Sequence, residues 1–457
     1  MTAVFLCADL REGLDALDLD GVTWVDELCQ RPRQLLDLVD EQQTELVVGV
    51  HRTESNTGNL QAAVRRLGFD PLGVGVVDLD AAPGHHNLRV AIAGAIARVH
   101  SFPGTAGANV KMLAPLRKSR RDLLAAGAPR YVGAPSIDST TCAARDGCRI
   151  CVAECPPGAL SWNAGRVEFD INTCVACGIC VSACPTGATS NPSADPGSFE
   201  AQVRAIVDAA GEEVGIRFRC REAVVPFESG WAQLEVPCTG MLTLGWLLAP
   251  LALGAGGVDV VSCDEGGCGL RNEARLAAVL GDLGTLRQAG GGALLRGDFE
   301  PFGPGSTGPA VASMLLPEHQ GLEFGVAELG VVSIDESTCT ACEMCATVCP
   351  TGSLRSDPSA PGVRIEFDPR LCVGCGQCVT TCPELAAGAI SLSRRFDPQE
   401  WDLGRRTVRE EEVPVCEVCG GPVAPAAMLE RVREMLAEDA EETMSLISSR
   451  CVNCRGR

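Results

Sequence analysis

Eight cysteines in two short runs, written twice along the chain, constrain this sequence more than any other feature. The later copy is regular. STCTACEMCATVCPTGS carries Cys339, Cys342, Cys345 and Cys349, and LCVGCGQCVTTCPEL carries Cys372, Cys375, Cys378 and Cys382. The earlier copy ends in INTCVACGICVSACPTGA, with Cys174, Cys177, Cys180 and Cys184 at the same C-x2-C-x2-C-x3-C-P spacing, 198 positions upstream of its counterpart. Its first run departs from the pattern. TCAARDGCRICVAECPPGAL holds Cys142, Cys148, Cys151 and Cys155, with five residues between the first two. A chain of 457 residues can bury several cores without disulfides. The opening MTAVFLCADL has no basic start and no cleavage-like end, so a reducing, cytoplasmic setting is expected. There, most of the 26 cysteines read as metal ligands.

The spacing has a mechanical reason. Three thiolates on one tight turn wrap three corners of a [4Fe–4S] cube, and the fourth starts a helix pointing the other way. Pro156, Pro185, Pro350 and Pro383 each follow that fourth cysteine, blocking chain continuation and removing an N–H. Zinc also takes four cysteines, but three in one C-x2-C-x2-C turn followed by C-P is an iron–sulfur pattern. Both modules resemble bacterial two-cluster ferredoxins, in which the fourth cysteine ligates the other cluster. The resemblance assigns Cys142, Cys148, Cys151 and Cys184 to one cluster and Cys174, Cys177, Cys180 and Cys155 to the next. In the second module the sets are Cys339, Cys342, Cys345, Cys382 and Cys372, Cys375, Cys378, Cys349. Between the halves, RVEFDI and VRIEFD alternate like short hairpin strands.

Four more cysteines lie between the modules, in FRCREA, EVPCTGM and VSCDEGGC. The surroundings read as strand VGIRFRC, strand LEVPC, an apolar helix, strand VDVVSC and helix NEARLAAVLGDL. Three cysteines therefore end strands, where the loops of an open α/β sheet gather ligands. Gly266 and Gly267 would let the backbone approach a cluster closely. VPCTG followed by GAGGVDVVSCDEGGC resembles the delta subunit of methyl-viologen-reducing hydrogenase. That family binds a [2Fe–2S] cluster, and the resemblance places it on Cys220, Cys238, Cys263 and Cys268. Family members often carry another cysteine close to the first, where FRCREA has one only. MLTLGWLLAPLALGAGGV, from Met241 to Val258, is uncharged, but Pro250 and four glycines interrupt it. A buried helix leading into a strand is expected rather than a membrane span.

The first hundred residues alternate strand and helix: AVFLC, VDELCQRPRQLLDLVDEQQ as a helix, ELVVGV, NLQAAVRRLG, LGVGVVDL and LRVAIAGAIARV. VFLC, LCQRPRQLL and VVGVHRTES resemble the N-terminal part of the flavin-bearing subunit of heterodisulfide reductase. His51 stands where that family has a cysteine, and Asp9 where it often has a second. Cys7, Cys29 and His51 are thus at most a degenerate site. The family carries its flavin domain before its ferredoxin, but the stretch from Val99 to Cys142 is too short for one. No G-x-G-x-x-G follows a strand, so neither FAD nor NAD(P) is expected. Lys111 to Leu124 is the one basic run, read as a solvated helix face or a docking patch for an acidic partner.

VCEVCGGP and RCVNCRGR supply Cys416, Cys419, Cys451 and Cys454, two knuckles flanking a helical pattern that suit a structural Zn(Cys)4 site. The expected architecture is multidomain, α/β and α+β. It comprises an α/β domain over 1–130, a ferredoxin-like module over 131–195, a second small α/β domain over 196–330, a second ferredoxin-like module over 331–400 and a zinc-ribbon-like module over 401–457. A net charge of −21 argues against nucleic acid and anionic membranes. No catalytic constellation stands out. The reading is four [4Fe–4S] clusters, one [2Fe–2S] cluster and a zinc in an electron-transfer subunit of a cytoplasmic oxidoreductase complex. Its partners would be flavin-, molybdenum/tungsten- or hydrogenase-type subunits. A free polyferredoxin shuttle and a redox-sensing scaffold are the alternatives.

Overall fold

The alternating strands at the start of the chain build a four-stranded sheet: β1 (Thr2–Cys7), β2 (Val22–Val25), β3 (Glu45–Val50) and β4 (Gly75–Asp78). Their order is β2-β1-β3-β4, and every pairing is parallel. After Thr2, β1 is an unbroken apolar run, AVFLC, as suits a strand covered on both faces. Ala3, Phe5 and Cys7 join one core with Leu60 and Val64, while Val4 and Leu6 join another with Leu88, Ile92 and Val99. The structure, a computed structural model, describes residues 2–8, 21–40, 42–51, 54–105, 109–113, 128–211, 214–263, 277–282, 322–325, 328–357, 362–436 and 441–455. It divides into two compact units, residues 1–142 with 149–307 and residues 143–148 with 308–457.

One expectation fails early. The stretch read as a single helix from Val25 instead completes strand β2, turns at Glu27 (φ 54°), and forms only a 3-10 turn at Pro32–Gln34 and one helical turn at Leu35–Leu38. Pro32 has no N–H to donate to the preceding turn, which favours the start of a helical element over its interior. The basic run also differs. Its first three residues lie in strand β5 (Asn109–Leu113), paired antiparallel with β6 (Arg130–Ala134); residues 114–124 lie outside the described residues.

Chain entry to and exit from the first cysteine module is tied by β7 (Ser136–Ile137) pairing β10 (Thr189–Ser190). RVEFDI forms β9 (Arg166–Phe169), the second strand of a hairpin with β8 (Leu160–Asn163). The helix Pro196–Ala210 follows, capped by the Asp195 carboxylate on the Ser198 N–H (2.7 Å) and closed by Gly211 at φ 70°. It packs on the helix His85–His100 of the first sheet. A Cβ on Gly94 would stand 2.8 Å from Ile206 Cγ1, so glycine sets how closely those helices approach.

Beyond that helix, β11 (Gly215–Cys220), β12 (Trp231–Val236) and β13 (Gly257–Val261) form a parallel sheet in the order β12-β11-β13. The uncharged stretch is the helix Leu244–Ala252, with every residue buried, followed by β13. Trp246 meets Phe199 at 5.2 Å and Phe218 at 6.5 Å, both edge to face. Among the described residues no helix is long and apolar enough to cross a membrane.

In the second unit, β14 (Leu322–Glu323) is followed by β15 (Val331–Ile334), β16 (Leu354–Ser356) and β17 (Val363–Phe367). The chain continues through β18 (Ile390–Ser393), β19 (Arg395–Phe396) and β20 (Arg406–Glu411). β15 pairs β18, β14 pairs β19, and β16-β17-β20 make a third small antiparallel sheet. VRIEF alternates as the pattern predicts: Val363, Ile365 and Phe367 are buried, with half-buried Arg364 and Glu366 between them. Helices Ala426–Met435 and Glu441–Ser449 separate the two C-terminal knuckles.

Candidate metal centres

Each cysteine run of the two modules is entered through the same device. Asp138, Asp170, Asp335 and Asp368 stand four residues before the first cysteine of their runs. Each carboxylate accepts the N–H two residues on, from Thr140 (2.9 Å), Asn172 (2.9 Å), Ser337 (2.8 Å) and Arg370 (3.1 Å). In three runs the aspartate carbonyl then accepts the cysteine N–H: Cys142 (3.1 Å), Cys174 (3.2 Å) and Cys339 (2.9 Å). Hydrogen bonds from Thr141, Thr173 and Ser337 hold Asp138, Asp170 and Asp335 below the usual carboxylate range. These aspartates escaped the sequence reading, although a D-x-x-x-C repeated four times was there to find.

Inside three of the loops, the residues on both sides of the second cysteine are left-handed. They are Ala176 and Gly178 (φ 53° and 82°), Ala341 and Glu343 (53° and 61°), and Gly374 and Gly376 (61° and 75°). That conformation turns successive backbone N–H groups into the loop, where they face the sulfurs. The Ala176 N–H donates to Cys174 Sγ at 3.2 Å. Backbone donors also reach Cys177 from Ile179, Cys372 from Gly374 and Cys375 from Gln377. After the fourth cysteine, C-P-x-G closes three turns on Gly158, Gly187 and Gly352, at φ 68°, 68° and 64°.

For Cys155, Cys349 and Cys382, the fourth cysteine of one run lies near cysteines of the other. Burial, then the charges of Cys339, Cys342 and Cys382, push the Cys345 thiol up to about 12. Cys382 is raised by burial and by Cys342 and Cys339. Cys378 is likewise pushed up to about 12 by burial, then Cys372, Cys375, Cys349 and Cys345. In the first module, burial and the charges of Cys174 and Cys155 outweigh a backbone hydrogen bond and push Cys177 up to about 11. Burial, followed by Cys177, Cys151, Cys174 and Cys155, raises Cys180 further. These thiols hold their protons at neutral pH until a metal takes over their charge, so metal uptake releases protons. Buried, convergent thiols are the donors that iron–sulfur clusters take. Of the first assigned set, Cys142, Cys151 and Cys184 belong to the first unit and Cys148 to the second.

The Cys174 loop is braced from outside. Lys111 Nζ donates to the carbonyls of Ile171 (2.9 Å), Asn172 (2.9 Å) and Cys174 (2.6 Å). Arg221 donates to Ala176 (2.9 Å) and Val175 (2.7 Å). In the second module, the Cys372 loop receives Arg394 on the Gly374 carbonyl (3.1 Å), and the Cys339 carbonyl receives Arg409 (3.4 Å).

Cys220 ends β11, Cys238 lies two residues past β12, and Cys263 two past β13, so all three stand at the carboxyl edge of one parallel sheet. Thr239 and Ser262 hydroxyls, 2.9 Å apart, join the last two loops. Cys268 lies outside the described residues, as does half of the predicted helix after it; residues 277–282 are helical. At the corresponding edge of the N-terminal sheet, the Cys29 N–H donates to Cys7 Sγ (3.3 Å) and the His51 N–H to Cys29 Sγ (3.1 Å). The His51 ring binds Asp80 at 2.7 Å.

Cys416, Cys419, Cys451 and Cys454 come together, with all four sulfurs within 4.8 Å of one another. The Cys451 N–H and those of Cys419 and Val418 bring Cys416 down to about 6, against a smaller desolvation effect. Hydrogen bonding from the Cys419 and Cys451 side chains holds Cys454 up at about 12. Four convergent thiols fit a tetrahedral soft-metal site.

With this geometry in view, comparison with known families is specific in two places. Residues 144–188 and 338–386 each match the 4Fe–4S dicluster domain, about a fifth of the chain together. The first match begins beyond Cys142, in the irregular loop. A search of the curated proteins gave no match. The molecule carries two ferredoxin-like 4Fe–4S modules in a mixed α/β setting, the make-up of an iron–sulfur electron-transfer protein.

Proposed function

We propose that this chain is the electron-relay subunit of a cytoplasmic oxidoreductase complex of the hydrogenase, formate dehydrogenase or heterodisulfide reductase type. Four [4Fe–4S] clusters would sit on the crossed sets assigned above, and a [2Fe–2S] cluster on Cys220, Cys238, Cys263 and Cys268. A zinc would sit on Cys416, Cys419, Cys451 and Cys454. The observation that carries the reading is the crossing itself: Cys155, Cys349 and Cys382 each lie with the other run of their module. Bound clusters take up and release single electrons, at potentials set by cluster type, hydrogen bonds to sulfur and burial.

The chain's own residues supply those settings. Left-handed loop residues aim N–H groups at the thiols. Arg221 follows Cys220 and grips the Val175 and Ala176 carbonyls, so one residue ties the edge of the middle sheet to the Cys174 loop. The resemblances to the flavin-bearing heterodisulfide reductase chain and to the hydrogenase delta subunit support a role inside a larger assembly, with substrate chemistry on another chain.

Purification of the tagged chain from its native cells tests this. Stable co-elution with a flavin-, molybdenum/tungsten- or hydrogenase-type subunit is expected. A monomer that alone passes electrons between soluble enzymes at full rate would replace the proposal with a free shuttle.

A further inference from the structure

The first unit has a cleft of about 760 Å³ that the cluster sites do not use. The helix Pro196–Ala210, strands β6, β11 and β12, and the helix His85–His100 all contribute to its wall. Its charge runs against that of the chain. Four guanidiniums, of Arg98, Arg130, Arg219 and Arg221, line it against the two carboxylates of Asp78 and Glu235, in a protein of net charge −21. Glu235 is already shared. Arg130 pairs with one of its oxygens, and Arg219 lies 3.3 Å from the other. The Arg98 guanidinium stacks over Phe199 at 5.3 Å. Desolvation pulls Arg98 below its ordinary value, and the nearby charges of Glu235 and Asp195 do not restore it.

Buried polar atoms mark the same wall. Arg130 Nε and Arg219 Nε find no hydrogen-bond acceptor, and the side-chain oxygens of Gln202 and Gln233 find no donor. Arg219 Nη1 has only the ion pair with Glu235. Arg219 is almost wholly buried, with 8% of its side chain exposed. A buried unmet donor or acceptor is costly, and a guanidinium more so than a neutral group. Two unmet guanidinium N–H positions, beside the Arg98 guanidinium, together call for a ligand with several anionic oxygens, the geometry that arginine serves in two-pronged fashion. The two glutamine oxygens ask for donor groups on the same ligand. Trp231 and Tyr131 add aromatic surface, and the volume is that of an ordinary small-molecule site.

We propose that this cavity binds a small phosphorylated ligand of mononucleotide size, its phosphate held by Arg98, Arg130 and Arg219 and its hydrogen-bond donors by Gln202 and Gln233. Such a site gives the chain a ligand-binding function separate from its clusters. It requires neither cluster occupancy nor a second chain.

Calorimetric titration of the full-length, cluster-loaded protein with AMP, ribose 5-phosphate, inorganic phosphate and succinate tests it. AMP is expected to bind. Arg98→Gln or Arg219→Gln should weaken it by more than about tenfold, the scale of losing a charge-assisted hydrogen bond. Gln202→Leu should weaken AMP while leaving inorganic phosphate unchanged, and the visible absorption of the clusters should stay constant throughout. Ribose 5-phosphate binding as tightly as AMP would assign the site to sugar phosphates. Should Arg98→Gln fail to fold, Arg130→Lys and Gln202→Leu read the same site. Three results would overturn the proposal: no heat from any phosphate compound at millimolar concentration, equal binding in all variants, or succinate binding more tightly than AMP.

Discussion

The two cysteine modules share a motif and differ in what holds it. In the second module both runs have regular spacing, and all eight cysteines, Cys339 to Cys382, lie in one unit. Five of them, Cys345, Cys349, Cys372, Cys378 and Cys382, join a common core with Ile365, Phe367 and Ile390. In the first module, the opening run carries a five-residue loop, and Cys148 falls in a different unit from the other seven. Its second run is gripped from outside by Lys111 and Arg221 through five carbonyls, where the equivalent Cys372 loop receives one bond, from Arg394. The difference teaches that one ligand pattern can be a self-contained module or a part built into a larger α/β body. In the second case, residues far away in sequence set the environment of the cluster.

The largest expected effect concerns the crossing that both modules are assigned. Cys349→Ser and Cys372→Ser should each remove the same cluster, about four iron atoms, and the double variant no more than either alone. Cys349→Ser with Cys339→Ser should remove about eight, two clusters. Iron analysis that shows the reverse pattern would break the crossed assignment.

Next comes dependence on the scaffold. Trp246→Ala removes the ring that packs on Phe199 and Phe218 and should cost about 3–5 kcal/mol in the first unit. Denaturant titration followed by cluster absorption should then show an early phase from the first module alone. A single unchanged transition would mean that both modules are equally independent.

The braces predict a subtler contrast. Lys111→Met and Arg221→Met each remove a positive charge beside the Cys174 loop and should lower the midpoint potential of its cluster. Arg394→Met should lower that of the Cys372 cluster by less. Redox titration monitored by EPR reads both, and equal shifts would erase the distinction.

The smallest effect separates loop conformation from loop chemistry. Glu343 is left-handed where the other loops have Gly178 and Gly376, so Glu343→Gly should stabilise the second unit by about 1 kcal/mol. Thermal unfolding measures it, and destabilisation would show that the Glu343 side chain has a role of its own.

Much of this arrangement was legible in the sequence because cysteine spacing and proline position are local signals. The hairpin strands, the buried helix around Trp246 and the three strand-end cysteines of the middle sheet follow from patterns a few residues long. What escaped depends on distance or on backbone angle. Nothing in NVKML announces that Lys111 reaches carbonyls some sixty positions onward, and the residue reads instead as the start of a basic helix. Alanine and glutamate give no sign of positive φ, so Ala176, Ala341 and Glu343 look ordinary where Gly376 does not. VTWV is too short and too exposed to read as a strand before its pairing with β1 is seen. The arginine cavity draws on residues from Val50 to Pro237 and has no local signature at all.

Metal quantification on the purified chain, with EPR of the reduced protein, tests the central claim most directly. The account predicts about 18 iron atoms and about one zinc per chain, with [4Fe–4S] signals beside one [2Fe–2S] signal that Cys263→Ser removes selectively. An iron content near eight, or a Cys263→Ser protein that loses only [4Fe–4S] signals, would contradict it.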